Sequence, residues 1–356
     1  MKKPVTILTG FLGAGKTTFL NHLLQENEGT RYAIIENEFG EQGIDNELVM
    51  RPDETIVELN NGCLCCTLND NLYDILNDLF EKRAEFDEVI IEATGVADPT
   101  GLAQPFVAHP LIKKHFPLTS IICMIDAELV EDQLVETEEA LSQISFSDIL
   151  LINKIDLVSE DYISILEKKL QQLNPLAKIF KGHKNEFPEI EYHSINEKLE
   201  ELLLKSNTDH GHDHHHHHEH DHKREHGSSE LNFPVQKPHT HHHHHHTEDI
   251  HSHTFTFNVP FDFQVLYQQL FVYLTFQAVG LYRIKGLVWL ENKEHQCILQ
   301  SVGRRLDFQE KRVWDPAETK QSILVFIGKN LKRQGLEKLL NKCISANYSK
   351  TNMIAK

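Results

Sequence analysis

The sequence predicts an α/β protein: a domain built on a mostly parallel sheet, followed by a smaller C-terminal α+β domain. Three observations predict it. Over residues 1–205, short apolar runs alternate with segments of helical periodicity, the pattern of a sheet covered on both faces. Over residues 206–252 the composition collapses to His, Asp, Glu, Lys, Ser and Pro, too polar to bury a core, so a disordered linker is expected. Over residues 253–348 apolar strands and two helices return in a different order.

In the first domain the expected strands are Val5–Thr9, Ala33–Glu36, Ile56–Leu59, Glu88–Glu92, Ser120–Asp126, Ile149–Asn153 and Ala177–Phe180. The expected helices are Thr17–Gln25, Leu68–Arg83, Thr100–Ala108, Val135–Ile144, Glu160–Leu173 and Ile195–Leu204. Ile121-Ile122-Cys123-Met124-Ile125 is apolar without alternation, which suits a strand buried on both faces. In the second domain, strands are expected at Thr254–Val259, Gly286–Leu290, Ile298–Val302, Leu306–Phe308 and Ser322–Ile327. Helices are expected at Phe263–Phe276 and Leu331–Ile344. Phe263, Leu266, Leu270, Tyr273 and Leu274 form a stripe at helical spacing, read as core packing with part of it free to face a partner. Cys123, Cys297 and Cys343 read as small core fillers.

A chain of 356 residues with 40% hydrophobic content has room for two packed domains. Its formal charge of −18 argues against a general nucleic-acid binder and against attachment to an anionic membrane through a basic patch. It lacks a run of about 18 apolar residues, so no transmembrane helix is expected. Met1-Lys2-Lys3 leads into an apolar strand and a functional loop instead of a cleavage site. The expected compartment is therefore the cytoplasm, where six cysteines serve as metal ligands or core residues sooner than as disulfides.

Gly10-Phe11-Leu12-Gly13-Ala14-Gly15-Lys16-Thr17 fits G-x-x-x-x-G-K-[ST] between a strand and a helix. Gly10, Gly13, Ala14 and Gly15 would wrap backbone N–H groups around phosphates, at the positive end of the following helix. Lys16 would reach the β- and γ-phosphates and the Thr17 hydroxyl would ligate Mg²⁺, with Thr18 in the same nucleotide-binding set. Asn153-Lys154-Ile155-Asp156 matches N-K-x-D, and the Asp156 carboxylate can accept two hydrogen bonds from guanine that adenine does not supply. GTP is therefore the expected nucleotide. In Glu92-Ala93-Thr94-Gly95, Glu92 could hold Mg²⁺ through water and the Gly95 amide could sense the γ-phosphate. The candidate catalytic set is Lys16, Thr17, Glu92 and Gly95. No arginine finger or water-orienting residue stands out, so slow intrinsic turnover is expected.

Asn61-Gly62-Cys63-Leu64-Cys65-Cys66 places three thiols in four residues at a turn opening onto a helix. Thiolates are soft ligands suited to Zn²⁺, Co²⁺ or Cu⁺, and a helix N-terminus lowers thiol pKa. The spacing is tighter than C-x-x-C, and without a second cysteine pair nearby the fourth ligand comes from elsewhere or the site stays open for a metal that is passed on. Glu36-Asn37-Glu38-Phe39-Gly40-Glu41 supplies carboxylates after the second strand that could bind Mg²⁺ or complete the metal site.

The run G-F-L-G-A-G-K-T-T, E-N-E-F-G-E, G-C-L-C-C, E-A-T-G-V-A-D-P and N-K-I-D, in that order, resembles the CobW family of P-loop GTPases, cytosolic proteins of metal handling with zinc and cobalt branches. The resemblance continues through Arg283-Ile284-Lys285-Gly286, Val302-Gly303-Arg304-Arg305 and Val325-Phe326-Ile327-Gly328. It implies a P-loop NTPase fold, thiolate ligands at Cys63, Cys65 and Cys66, and metal-contacting carboxylates at Glu36 and Glu41.

Nineteen of the 25 histidines lie between His210 and His253, with runs at His214–His218 and His241–His246. Flexibly spaced imidazoles chelate borderline metals at low specificity, so this segment reads as a loading or buffering arm. It favours the zinc branch, although histidine also binds Ni²⁺ and Co²⁺. The expected function is a GTP-hydrolysing metallochaperone that passes zinc or cobalt to a client metalloprotein docked on the C-terminal domain. The alternatives are a histidine-rich metal store, a nickel-insertion GTPase, which C-L-C-C beside E-N-E-F-G-E does not resemble, and a small-molecule kinase, which Asn153–Asp156 argues against. The client is not specified, and a homo-oligomer is compatible with the sequence.

Overall fold

The computed structural model describes residues 2–27, 29–36, 56–58, 68–183, 186–190 and 250–349. In the first domain the strands are β1 (Val5–Gly10), β2 (Tyr32–Glu36), β3 (Ile56–Glu58), β4 (Glu88–Glu92), β5 (Leu118–Asp126), β6 (Ile149–Asn153) and β7 (Lys178–Lys181). They form one sheet in the order β3-β2-β4-β1-β5-β6-β7, with every pair parallel. The helices are α1 (Lys16–Glu26), α2 (Leu68–Glu81), α3 (Pro99–Ala108), α4 (Pro110–His115), α5 (Val130–Glu136), α6 (Glu138–Phe146) and α7 (Glu160–Leu173). Because the strands are parallel, the segments after β1, β4, β5 and β6 all leave from one edge, the edge where such sheets bind ligands.

Burial follows from this layering. β1 is buried along its whole length. Val5 and Ile7 face a core with Leu72, Leu76 and Phe106 of α2 and α3, and Leu8 faces the opposite core with Phe19 and Leu20 of α1. The single helix expected over Val135–Ile144 is two helices. Thr137 adopts an extended backbone between them, and its hydroxyl accepts a hydrogen bond from the Ala140 amide as the cap of α6. The helix expected at Ile195–Leu204 lies outside the described residues.

The second domain contains β8 (Ile250–Phe257), α8 (Phe263–Phe276), β9 (Leu281–Val288), β10 (His295–Val302), β11 (Arg305–Val313), β12 (Ser322–Lys329) and α9 (Arg333–Asn341). The strands pair antiparallel in the order β11-β10-β9-β12-β8. Every strand of this domain shifts at one end or both, three of them instructively. β8 begins at Ile250 instead of Thr254, because Ile250 packs into the first domain's core beside Leu173 and Ala177. β9 runs over Leu281–Val288 instead of Gly286–Leu290. Arg283 and Lys285 break the apolar pattern and become buried strand residues only because the other domain supplies a carboxylate. β11 extends beyond Leu306–Phe308, since its exposed half carries no apolar signature. Helix α9 is shorter than the expected Leu331–Ile344. In α8, Leu266, Leu270 and Leu274 are buried as expected, but Phe263 is 37% exposed and rests against the Phe308 ring at the domain's rim.

The two domains share buried contacts. Val302 of β10 belongs to the core that contains Val5 and Phe106, and Leu176 packs with Trp314, Ile298 and Ile323. Asp148, just before β6, is 6% exposed and meets Arg283 Nη2 at 2.6 Å and Lys285 Nζ at 2.9 Å. It also accepts a hydrogen bond from the Ile121 amide. Burial opposes its charge, but the Arg283 and Lys285 cations outweigh that and hold its carboxyl below its ordinary value. Arg283 also donates to the Phe146 carbonyl and lies over the Phe146 ring. Lys113 of α4 pairs with Asp307 of β11.

Candidate nucleotide and metal site

The turn between β1 and α1 holds the glycine-rich motif. The Lys16 ammonium donates to the carbonyls of Gly10 at 2.9 Å and Phe11 at 3.2 Å, so it sits at the mouth of its own loop. Burial pulls its pKa below the ordinary value, and the Glu92 carboxylate partly restores it. Gly15 adopts φ +97°, and a Cβ there would meet Asn153 Nδ2 at 2.4 Å. Asn153 in turn donates to the Ala14 carbonyl at 2.9 Å. Asn153 therefore braces the glycine loop.

Lys154 follows in a left-handed backbone conformation, φ 60°, and its Nζ lies 2.6 Å from Asp126 Oδ2 at the end of β5. Asp126 is fully buried and also caps the Glu128 amide. Asp156 is exposed in the short 3₁₀ turn Ile155–Leu157.

Thr17 Oγ1 donates to Glu92 Oε1 at 3.0 Å. A hydroxyl and a carboxylate this close beside a phosphate loop are hard oxygen donors of the kind Mg²⁺ takes, so these residues fit that cation. The Thr94 hydroxyl, in the loop leaving β4, is buried with no hydrogen-bond partner among the described residues. Gly95 lies against the phosphate loop, and a Cβ on it would meet Leu12 N at 2.5 Å. Only glycine brings the loops after β1 and β4 this close.

Glu36 ends β2 with its Cα in register with Glu92 of β4. The chain leaves the same sheet edge at Glu58 of β3 and returns at Leu68 of α2. Cys63, Cys65, Cys66 and Glu41 lie in segments outside the described residues. Among the described residues no group of three or more His, Cys, Asp or Glu could hold a metal ion. Cys123, Cys297 and Cys343 are buried free thiols, with burial pushing their pKa values up to about 12, about 11 and about 12. That makes them poor thiolates and good fillers.

The structure thus brings together the glycine loop, Lys16, Thr17, Glu92, Gly95, Asn153 and Lys154. Sequence reasoning missed Asp126 and Gln143. Asp126 had a readable signal, a carboxylate ending a buried apolar strand. Gln143, whose side chain reaches the Gly95 loop, had none.

Residues 4–181 match the family described as CobW/HypB/UreG, nucleotide-binding domain, and residues 250–344 match the cobalamin synthesis protein cobW C-terminal domain. The chain belongs to the CobW family of P-loop GTPases. It is similar to the zinc chaperone YjiA of Escherichia coli K12, with 31% identity over 328 residues covering 91% of this chain and 93% of that protein. It is also similar to zinc-regulated GTPase metalloprotein activator 1 of Schizosaccharomyces pombe, with 40% identity over 184 residues. That match covers 49% of this chain and 44% of the relative. The Zn(II)-bound crystal structure of YjiA GTPase from E. coli superposes with a TM-score of 0.64 at 26% identity, covering 97% of this chain and all of the other. As a CobW-family GTPase the chain hydrolyses GTP. No described helix is long and apolar enough to cross a membrane.

Proposed function

We propose that this protein is a cytoplasmic GTP-driven zinc chaperone in which nucleotide and metal bind along one sheet edge and report on each other. One observation carries the reading: Glu36, a residue of the candidate metal set, ends the strand beside β4 with its Cα in register with that of Glu92, whose carboxylate meets Thr17. Support comes from the names of its relatives, a zinc chaperone and a zinc-regulated GTPase metalloprotein activator.

In this reading the glycine loop and Lys16 bind the phosphates, Asp156 accepts from guanine, and Asn153 keeps the two motifs at fixed separation. Mg²⁺ at Thr17 and Glu92 neutralises phosphate charge when bound. Gly95 senses the γ-phosphate. Glu36, Glu41, Cys63, Cys65 and Cys66 hold zinc, which a client metalloprotein docked on the C-terminal domain receives after hydrolysis. The thiolates favour zinc or cobalt over harder cations, and the zinc-named relatives favour zinc.

Competition against a chromophoric chelator should give a zinc affinity about 5- to 150-fold tighter with a non-hydrolysable GTP analogue than with GDP, and Cys65→Ser should erase the difference. Equal affinity in all nucleotide states would sink the proposal. Deleting residues 208–249 should leave this nucleotide-sensitive site and remove only weak capacity. A metal store would instead lose nearly all its zinc.

Replacing Asp156 with alanine should lower the preference for GTP over ATP by about 10- to 200-fold, the worth of hydrogen bonds to a charged group. Parallel titrations with the two nucleotides check it, and an unchanged preference would remove Asp156 from the base site.

A further inference from the structure

Gln143 lies in α6, away from the nucleotide motifs in sequence, and is 1% exposed. Its Nε2 donates to two carbonyls of the loop after β4, Gly95 O and Ala97 O, each at 3.1 Å. Both protons of one amide are thereby spent on one short stretch of backbone. Ser142, the preceding residue, donates to Asp98 Oδ1 at 3.0 Å, and that same oxygen accepts from the Thr100 amide to cap α3. So α6 grips the Gly95 loop along its length.

The other end of α6 is gripped by the C-terminal domain. The Phe146 carbonyl, at the helix's last residue, accepts from Arg283 Nη1, and Asp148 two residues on receives Arg283 and Lys285. Both cations belong to β9, the central strand of the second sheet. The Ser147 hydroxyl donates to the Gln143 carbonyl at 2.6 Å, joining the two ends of this contact within one helical turn.

We infer that Gln143 is a positioning residue that holds the Gly95–Ala97 backbone and, through α6, ties the nucleotide state of that loop to the seating of the C-terminal domain on Arg283. Any change in the loop on binding a γ-phosphate must move or strain the Gln143 amide. The short rigid helix passes that displacement to the buried Arg283–Asp148 contact, where the surrounding packing leaves little room to absorb it. By reciprocity, a client that alters the C-terminal domain's seat would alter the preference for GTP over GDP. The inference rests on the reading of Gly95 as the γ-phosphate sensor.

The test measures affinities of the full chain for GDP and for a non-hydrolysable GTP analogue by fluorescent-nucleotide titration. Gln143→Met keeps the side chain's length without its donors. It should lower the ratio of GTP-analogue to GDP affinity about tenfold, with GDP affinity itself within about twofold of wild type. Arg283→Lys keeps the charge beside Asp148 but loses the guanidinium fork that joins the Phe146 carbonyl to Asp148. It should shift the ratio in the same direction, and the double variant should be no worse than Gln143→Met alone. An unchanged ratio in Gln143→Met, or additive shifts in the double variant, overturns the inference. Should Gln143→Met lose GDP binding altogether, Ser142→Ala takes its place with an expected shift of about two- to threefold, and no shift there also overturns it. Gly95→Ala separates the two claims. If it leaves the ratio unchanged, the γ-phosphate reading fails. If it changes the ratio while Gln143→Met does not, only the present inference fails.

Discussion

Asp148→Ala is expected to lower the melting temperature by roughly 6–20 °C, the counterpart of about 3–5 kcal/mol for removing one partner of a buried ion cluster. Arg283 and Lys285 are 3% and 4% exposed, so without Asp148 two cations remain buried side by side with no carboxylate. The Ile121 amide also loses an acceptor inside the sheet. Thermal unfolding followed by circular dichroism checks this, and a shift under about 2 °C would show that the cations reach water. The same cluster sets an acid limit. Its carboxyl is held below the ordinary 3.8 in the folded state, so its stabilisation is complete above that value and is lost as pH falls through the lower folded one. Wild type should therefore lose stability on acidification below about 4 more steeply than Asp148→Asn.

Lys16→Met should show activity and stability moving in opposite directions. Loss of the ammonium that we propose meets the phosphates is expected to cut kcat/KM for GTP by about 10²–10³-fold, the usual cost of one preorganised group that stabilises transition-state charge. In the nucleotide-free protein the same change should raise the melting temperature, because burial already disfavours the charged form. The sign follows from the lowered pKa: the penalty is full below that lowered value, and stability recovers only as pH rises from there toward the ordinary 10.5. Phosphate-release kinetics and a melting curve on one preparation test both halves. A variant that hydrolyses GTP normally would move Lys16 out of the site, and one that melts lower would show that its bonds to Gly10 and Phe11 outweigh its burial.

Much of the candidate nucleotide site was legible because its parts are local. A glycine loop, a lysine and a threonine within eight residues need only a strand before and a helix after them to become a phosphate cradle. The helix break at Thr137 was less legible, since a threonine inside an apolar period reads equally as helix interior or cap until its hydroxyl has a partner. Phe263 shared a stripe with Leu266 and Leu270 yet came to the rim, because period alone does not say where the facing sheet ends.

The sequence by itself determined the strand–loop–helix unit around Lys16, the strand that ends at Asn153 and the parallel order of the first sheet. These depend on short-range pattern and on backbone chemistry within a few residues. Only the tertiary structure decided that Asn153 braces Ala14, that Glu36 stands in register with Glu92, and that Arg283 and Lys285 can be strand residues. Each of those joins residues far apart in the chain. A buried charge or amide acquires its meaning only from the partner that folding places against it.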